Sequence, residues 1–155
     1  MLPYFAYGSN LNRADMRLRC PGARPVTPAT LVGWRLTFRG VADIEPDRGR
    51  SVLGGLWTCS REDVCSLDRY EGAPSNYRQL TVEVETPDGP REAMTYVMCD
   101  DGYLGLPSEW YYGRIEAGYR DWDLPLSGLR EALEETGKRL AGLGIGRYAP
   151  TDVIV

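Results

Sequence analysis

Apolar and polar residues alternate most cleanly over 79–86. Leu80, Val82 and Val84 fall on one face and Thr81, Glu83 and Glu85 on the other. A period of two predicts a half-buried strand. Pro87-Asp88-Gly89-Pro90 then reads as a turn, and 91–99 as the returning strand of a hairpin. Three more strands are predicted: a short aromatic one over 2–7, another over 30–39, and one over 51–59. Gly54-Gly55 in the last signals a bulge or a close backbone approach. The segment 41–50, rich in Asp, Pro and Gly, reads as a loop.

Helical signals lie between and after these strands. Residues 12–19 predict a short helix, stopped by Cys20-Pro21-Gly22. Ser60 followed by Asp63 resembles a capping pair for a helix over 61–71, closed by Gly72 and Pro74. Ser108 can cap a helix ending near Gly118. Ser127 can cap another, with Leu129, Leu133 and Leu140 on its buried stripe and Gly142 at its end. Strands dominate the first two-thirds of the chain and helices close it. The expected fold is one α+β domain over 1–155, built on a curved mixed or antiparallel sheet.

Composition narrows the chemistry. The chain has 155 residues and no histidine. This excludes a Ser-His-Asp triad, a Cys-His pair, His-ligated zinc and an imidazole proton shuttle. Catalysis would have to use a carboxylate, a thiol, Lys138, a tyrosine or backbone groups. A net charge of −4 argues against nucleic acid and anionic membranes as partners, because both need surplus positive charge. No apolar run reaches the roughly 18 residues of a membrane helix. Cys20, Cys59, Cys65 and Cys99 form no Cys-x-x-Cys pair. The start of the chain lacks a signal-peptide pattern, so reduced thiols and a cytoplasmic location are expected.

Four features could carry chemistry, each with a plainer alternative. Glu71 lies seven positions after Val64 and four after Leu67, which puts it on the buried stripe of its helix. Burial and the helix C-terminus would both raise its pKa towards that of a general acid or base. If the helix ends earlier, Glu71 is a solvated capping residue. Tyr7-Gly8-Ser9-Asn10 ends a strand in a turn that could offer successive N–H groups to an anion or oxyanion, or could be an ordinary turn with an N-cap. The cysteines are nucleophile candidates only if something other than histidine activates them, and otherwise pack the core. Of Trp110-Tyr111-Tyr112, one helical face cannot bury all three rings, so one could line a pocket, or the three could serve packing and an interface.

Taken together, Tyr4-Phe5-Ala6-Tyr7-Gly8-Ser9-Asn10-Leu11, Val52-Leu53-Gly54-Gly55-Leu56-Trp57, and Leu67-Asp68-Arg69-Tyr70-Glu71-Gly72 with Tyr77-Arg78 resemble the gamma-glutamylcyclotransferase family. That family includes gamma-glutamylamine cyclotransferases and AIG2-like proteins. Tyr111, seven residues before Gly118, and Leu124-Pro125 extend the likeness over roughly 2–130. The resemblance implies a barrel-like curved sheet with peripheral helices and a central cavity, acting without metal or cofactor as a monomer or homodimer. It implies cleavage of a gamma-glutamyl amide by cyclisation to 5-oxoproline and a free amine. Carried over by position, Glu71 is the acid/base. Tyr4, Phe5, Ala6, Tyr7, Gly8, Ser9 and Asn10 shape the glutamyl pocket, and Tyr111 supplies a pocket hydroxyl. Asp43 departs from the pattern, standing where a threonine-like residue is expected, and the tail over 143–155 has no counterpart. A non-catalytic binding protein that keeps the cavity is the competing reading, and the retained Glu71 argues against it. Nothing in the sequence identifies the leaving amine.

Overall fold

A computed structural model describes residues 1–100 and 102–143. Asp101 and most of the tail, 144–155, lie outside the described residues. Five strands close into a barrel: β1 (Leu2–Ala6), β2 (Arg24–Phe38), β3 (Ala42–Cys59), β4 (Tyr77–Thr86) and β5 (Gly89–Met98). Their spatial order is β1-β3-β2-β4-β5. Neighbours run antiparallel except β1 and β5, which meet in parallel at Tyr4 and Met94 and complete the ring. Closure removes the free edges of an open sheet. The expected curved, mixed sheet is therefore a closed barrel. Among the described residues four α-helices pack around it: α1 (Arg13–Arg19), α2 (Arg61–Glu71), α3 (Glu109–Asp121) and α4 (Ser127–Gly142).

The segment 41–50 corrects the sequence reading. It is strand, not loop: Ala42, Asp43, Ile44, Glu45 and Pro46 pair with Phe38, Thr37, Leu36, Arg35 and Trp34. Its buried and half-buried acids Asp43 and Glu45 are held by ion pairs. Asp43 bonds the Arg39 guanidinium at 2.7 Å, and Glu45 meets Arg35, Arg39 and Arg139. Composition marks such residues as loop formers, and only the cross-strand partners make them strand. Ser127 also differs. It is the first residue of α4 and caps nothing, Leu126 preceding it without a side-chain cap bond. Leu129, Ala132, Thr136 and Leu140 form the buried face of α4, and Leu133 sits at its margin.

Other local signals act as read. Ser60 and Asp63 form a reciprocal capping box at the start of α2. Ser108 accepts from the Tyr111 N–H at the start of α3. Gly54-Gly55 is a close approach, with the β1–β3 and β2–β3 registers unbroken there. A Cβ on Gly54 would lie 2.3 Å from the Ala6 carbonyl oxygen and 2.6 Å from the Phe5 ring. Glycine at this point lets β1 sit flat on β3 and bring its end to the mouth of the barrel.

The turn after β1 is fixed by two indoles. Trp57 donates to the Asn10 carbonyl at 3.1 Å, and Trp122 to the Leu11 carbonyl at 2.8 Å. The rings themselves pack edge to face, with centroids 5.3 Å apart. Among the described residues no helix is long and apolar enough to cross a membrane.

Candidate active site

A narrow cleft at the barrel mouth is lined by Tyr4, the turn Tyr7 to Asn10, Ala42, Glu71, Tyr77, Tyr96 and Tyr111. Seven strand, helix and turn elements therefore converge on one point. Glu71 is the last residue of α2. Gly72 follows in the left-handed region at φ 66° and ends the helix, its N–H donating to Arg69 and that of Ala73 to Asp68. The helix thus stops with Glu71 facing the cleft, on the stripe that begins with the buried Leu67.

The Glu71 carboxylate has one side-chain partner in the cleft. Asn10 donates from Nδ2 to Glu71 Oε1 at 3.1 Å and to the Tyr4 hydroxyl at 2.9 Å. Arg19 in turn donates to Asn10 Oδ1, so the amide can present only its N–H groups to Glu71 and Tyr4. The Arg19 guanidinium stacks 3.5 Å above the Tyr70 ring, and the Tyr70 hydroxyl lies 3.2 Å from Ser9 Oγ. Desolvation raises the Glu71 pKa to about 7, against the opposing pull of Arg19 and the Asn10 hydrogen bond. The helix C-terminus acts in the same direction as burial. A carboxyl poised near neutrality can both take and give a proton.

The phenols around it cannot play that part. Burial, as the largest cause, raises the pKa of Tyr4, Tyr7, Tyr77, Tyr96 and Tyr111. They stay neutral and orient by hydrogen bonding. Tyr7 donates to the Tyr96 carbonyl at 2.6 Å, Tyr77 to the Ala42 carbonyl at 2.7 Å and Tyr96 to Asp68 at 2.6 Å. The Tyr111 hydroxyl accepts from the Ala42 N–H at 2.9 Å. Leu11 and Asn12 bond back to the Gly8 and Ser9 carbonyls, while the first N–H groups of such a turn have no carbonyl one turn earlier to reach.

Seven residues singled out from sequence, Tyr4, Tyr7, Gly8, Ser9, Asn10, Glu71 and Tyr111, meet here. Phe5 and Ala6 are not among the lining residues. The Phe5 ring lies against Gly54, and its carbonyl accepts from Thr95 at 2.8 Å. Ala42, Tyr77 and Tyr96 join the site unforeseen as wall residues, because they come from three strands that only barrel closure brings together. Asp43 does not line the cleft. Its carboxylate accepts from Arg39 at 2.7 Å and from the Met98 N–H at 2.9 Å. All four cysteines are free. Burial raises the Cys20 and Cys59 thiols to about 11 and about 12, so neither is a thiolate near neutrality. Among the described residues no three acidic or Cys side chains gather as a metal-binding group.

Substituting Arg19 by methionine removes the nearest cation from Glu71 and frees the Asn10 amide to turn. The Glu71 midpoint then moves above 7. Carbon-detected NMR titration of the carboxyl measures it, and an unmoved midpoint would show that Arg19 does not act on Glu71.

Comparison with known proteins adds the lineage. A family model described as gamma-glutamyl cyclotransferase, AIG2-like, matches residues 4–123. Gamma-glutamylcyclotransferase of Homo sapiens is 31% identical over 136 residues, covering 79% of this chain and 72% of the human protein. Gamma-glutamylcyclotransferase of Bos taurus is 31% identical over 138 residues, with the same coverage. A solved structure of a gamma-glutamyl cyclotransferase superposes with a TM-score of 0.76 at 27% identity, covering 99% of this chain and 93% of that one.

Proposed function

The chain belongs to the gamma-glutamyl cyclotransferase, AIG2-like family, and on that premise we propose that it cleaves a gamma-glutamyl amide by cyclisation, with Glu71 as the acid/base. The observation that carries this is the desolvated Glu71 carboxyl, with a pKa of about 7, placed beside the Gly8-Ser9-Asn10 turn. The nucleophile is the substrate's own alpha-amine, so the protein need supply none. Glu71 as carboxylate takes a proton from the alpha-ammonium. The freed amine attacks the gamma-carbonyl, forming a C–N bond and a tetrahedral oxyanion. N–H groups of the turn and neutral tyrosine hydroxyls can meet that charge, each well-placed donor contributing roughly 3–4 kcal/mol. Glu71 returns its proton to the leaving nitrogen as the original C–N bond breaks. The ring nitrogen still holds a second proton of the former ammonium, which passes through the Glu71 carboxylate to the released amine; the products are 5-oxoproline and the amine as its ammonium ion, and Glu71 ends the turnover as the carboxylate. Holding the chain folded for attack can contribute up to roughly 7–11 kcal/mol.

The test is incubation with a panel of gamma-glutamyl compounds, following 5-oxoproline and free amine by mass spectrometry. The expected result is equimolar release of both from at least one member. Ligand binding without product from any member would favour the binding-protein reading.

This chemistry needs no Lewis acid, because the oxyanion donors belong to the chain. Activity should therefore survive dialysis against a strong chelator. Loss of activity that one divalent ion restores would overturn the role of Glu71 as proton carrier, since it could then be a ligand.

A further inference from the structure

A gamma-glutamyl amide has two halves, and the cleft around Glu71 is too narrow for both. Its volume is about 20 Å³. A second cavity, of about 470 Å³, lies beside it. Tyr77 forms part of both walls, tied by its hydroxyl to the Ala42 carbonyl at 2.7 Å. Ala42 lines the cleft and its neighbour Val41 lines the second cavity. The connection from α2 to β4 runs the same way, leaving the cleft at Glu71 and reaching the second cavity at Ser75 and Asn76. Two further cavities, one between Leu2 and Met94 and one between Arg50 and Glu131, share no lining residue with the cleft.

The second cavity has a mainly apolar wall, with Ser75, Asn76 and Asp100 as polar members beside Arg39. Val41, Tyr77, Met98, Cys99 and Tyr103 contribute aliphatic, aromatic or thiol surface. The Arg39 guanidinium on its wall is bonded to Asp43 and Glu45. We infer that this cavity receives the leaving half of the substrate, and that the amine it favours carries an apolar, ring-sized body. The inference rests on the function proposed above and assigns the part of the substrate that reading leaves open.

Cys99 offers a test without repacking the barrel. It is exposed and lines the second cavity, whereas Cys20 and Cys59 are buried and Cys65 is exposed elsewhere. In full-length Cys65→Ser protein, N-ethylmaleimide therefore places a ring-sized adduct in the cavity at Cys99. Rates are compared for gamma-glutamyl benzylamide and gamma-glutamyl methylamide, whose leaving groups are both primary alkylamines, each rate being referred to that of the same amide before labelling. Before labelling, kcat/KM should favour the benzylamide by roughly tenfold or more, the scale of a filled apolar pocket. After labelling, that preference should vanish while the methylamide rate changes by less than about twofold, because only binding of the larger amine is blocked. Equal loss for both amides, or loss for neither, overturns the inference and leaves the proposed function standing. No 5-oxoproline from either amide overturns the inference, and the gamma-glutamyl panel described above then decides the proposed function separately. Protein that also carries Cys99→Ser should show the same rate ratio with and without treatment. A ratio that falls there too places the label's effect elsewhere and also overturns the inference.

Discussion

Glu71→Gln lowers kcat by about 10²- to 10⁴-fold, the usual share of a positioned general acid/base. The glutamine keeps the shape and can still accept from Asn10 Nδ2, but it carries no proton between the two nitrogens. The same change alters stability in the opposite direction. Folding raises the Glu71 pKa from 4.5 to about 7. Between those values the native chain holds a proton that the unfolded chain releases. Stability therefore falls as pH rises through that window, because the folded state binds more protons. Glutamine does not titrate, so relative to the parent the variant gains stability as pH rises, fully so above 7. Denaturant midpoints at pH 5 and pH 8, taken with kcat, measure both effects. Retained activity would remove Glu71 from the mechanism. A stability difference independent of pH would show that its carboxyl is not desolvated.

Gly8→Val should abolish most activity, far beyond the effect of Cys59→Ser. The reason is crowding rather than backbone strain: φ at Gly8 is −122°, and a Cβ would lie 3.1 Å from the Ala42 Cβ and 3.7 Å from the Tyr111 hydroxyl. The valine methyls would project further, into the wall shared by the turn, β3 and α3. They would displace the Tyr111 hydroxyl from the Ala42 N–H and occupy the cleft. Overpacking of this kind costs about 1–3 kcal/mol of stability, with the larger loss falling on ligand binding. Cys59 is buried and does not line the cleft, so serine there affects stability more than chemistry. Comparable loss of kcat/KM in the two variants would argue against the turn as the glutamyl site.

Local sequence signals carried the parts of this fold that depend on near neighbours. The Ser60–Asp63 capping box, the Leu67–Glu71 stripe and the alternation of β4 are each set within a few residues, and each is legible. Glu71 was found because its type conflicts with its position, an acid on an apolar stripe. What stayed hidden depends on distant partners. The segment 41–50 becomes strand because Arg35, Arg39 and Arg139 neutralise Asp43 and Glu45. No local rule brings Arg139, on the last helix, to that strand. Tyr77 and Tyr96 reach the cleft because β4 and β5 close the ring onto β2 and β1. Alternation fixes which residues share a face, but not that this face looks onto Glu71. Phe5 and Ala6 show the converse. They lie inside the motif that carries the resemblance, and they build the strand that delivers the site rather than the site's surface.

The central claim is that burial holds the Glu71 carboxyl near neutrality, where it can both accept and return a proton. Carbon-detected NMR with labelled glutamate follows each carboxyl through pH, and the signal missing from the Glu71→Gln spectrum identifies Glu71. The account predicts a midpoint of about 7. A midpoint at the ordinary glutamate value of 4.5 would mean a solvated carboxylate at the end of α2, and would contradict it.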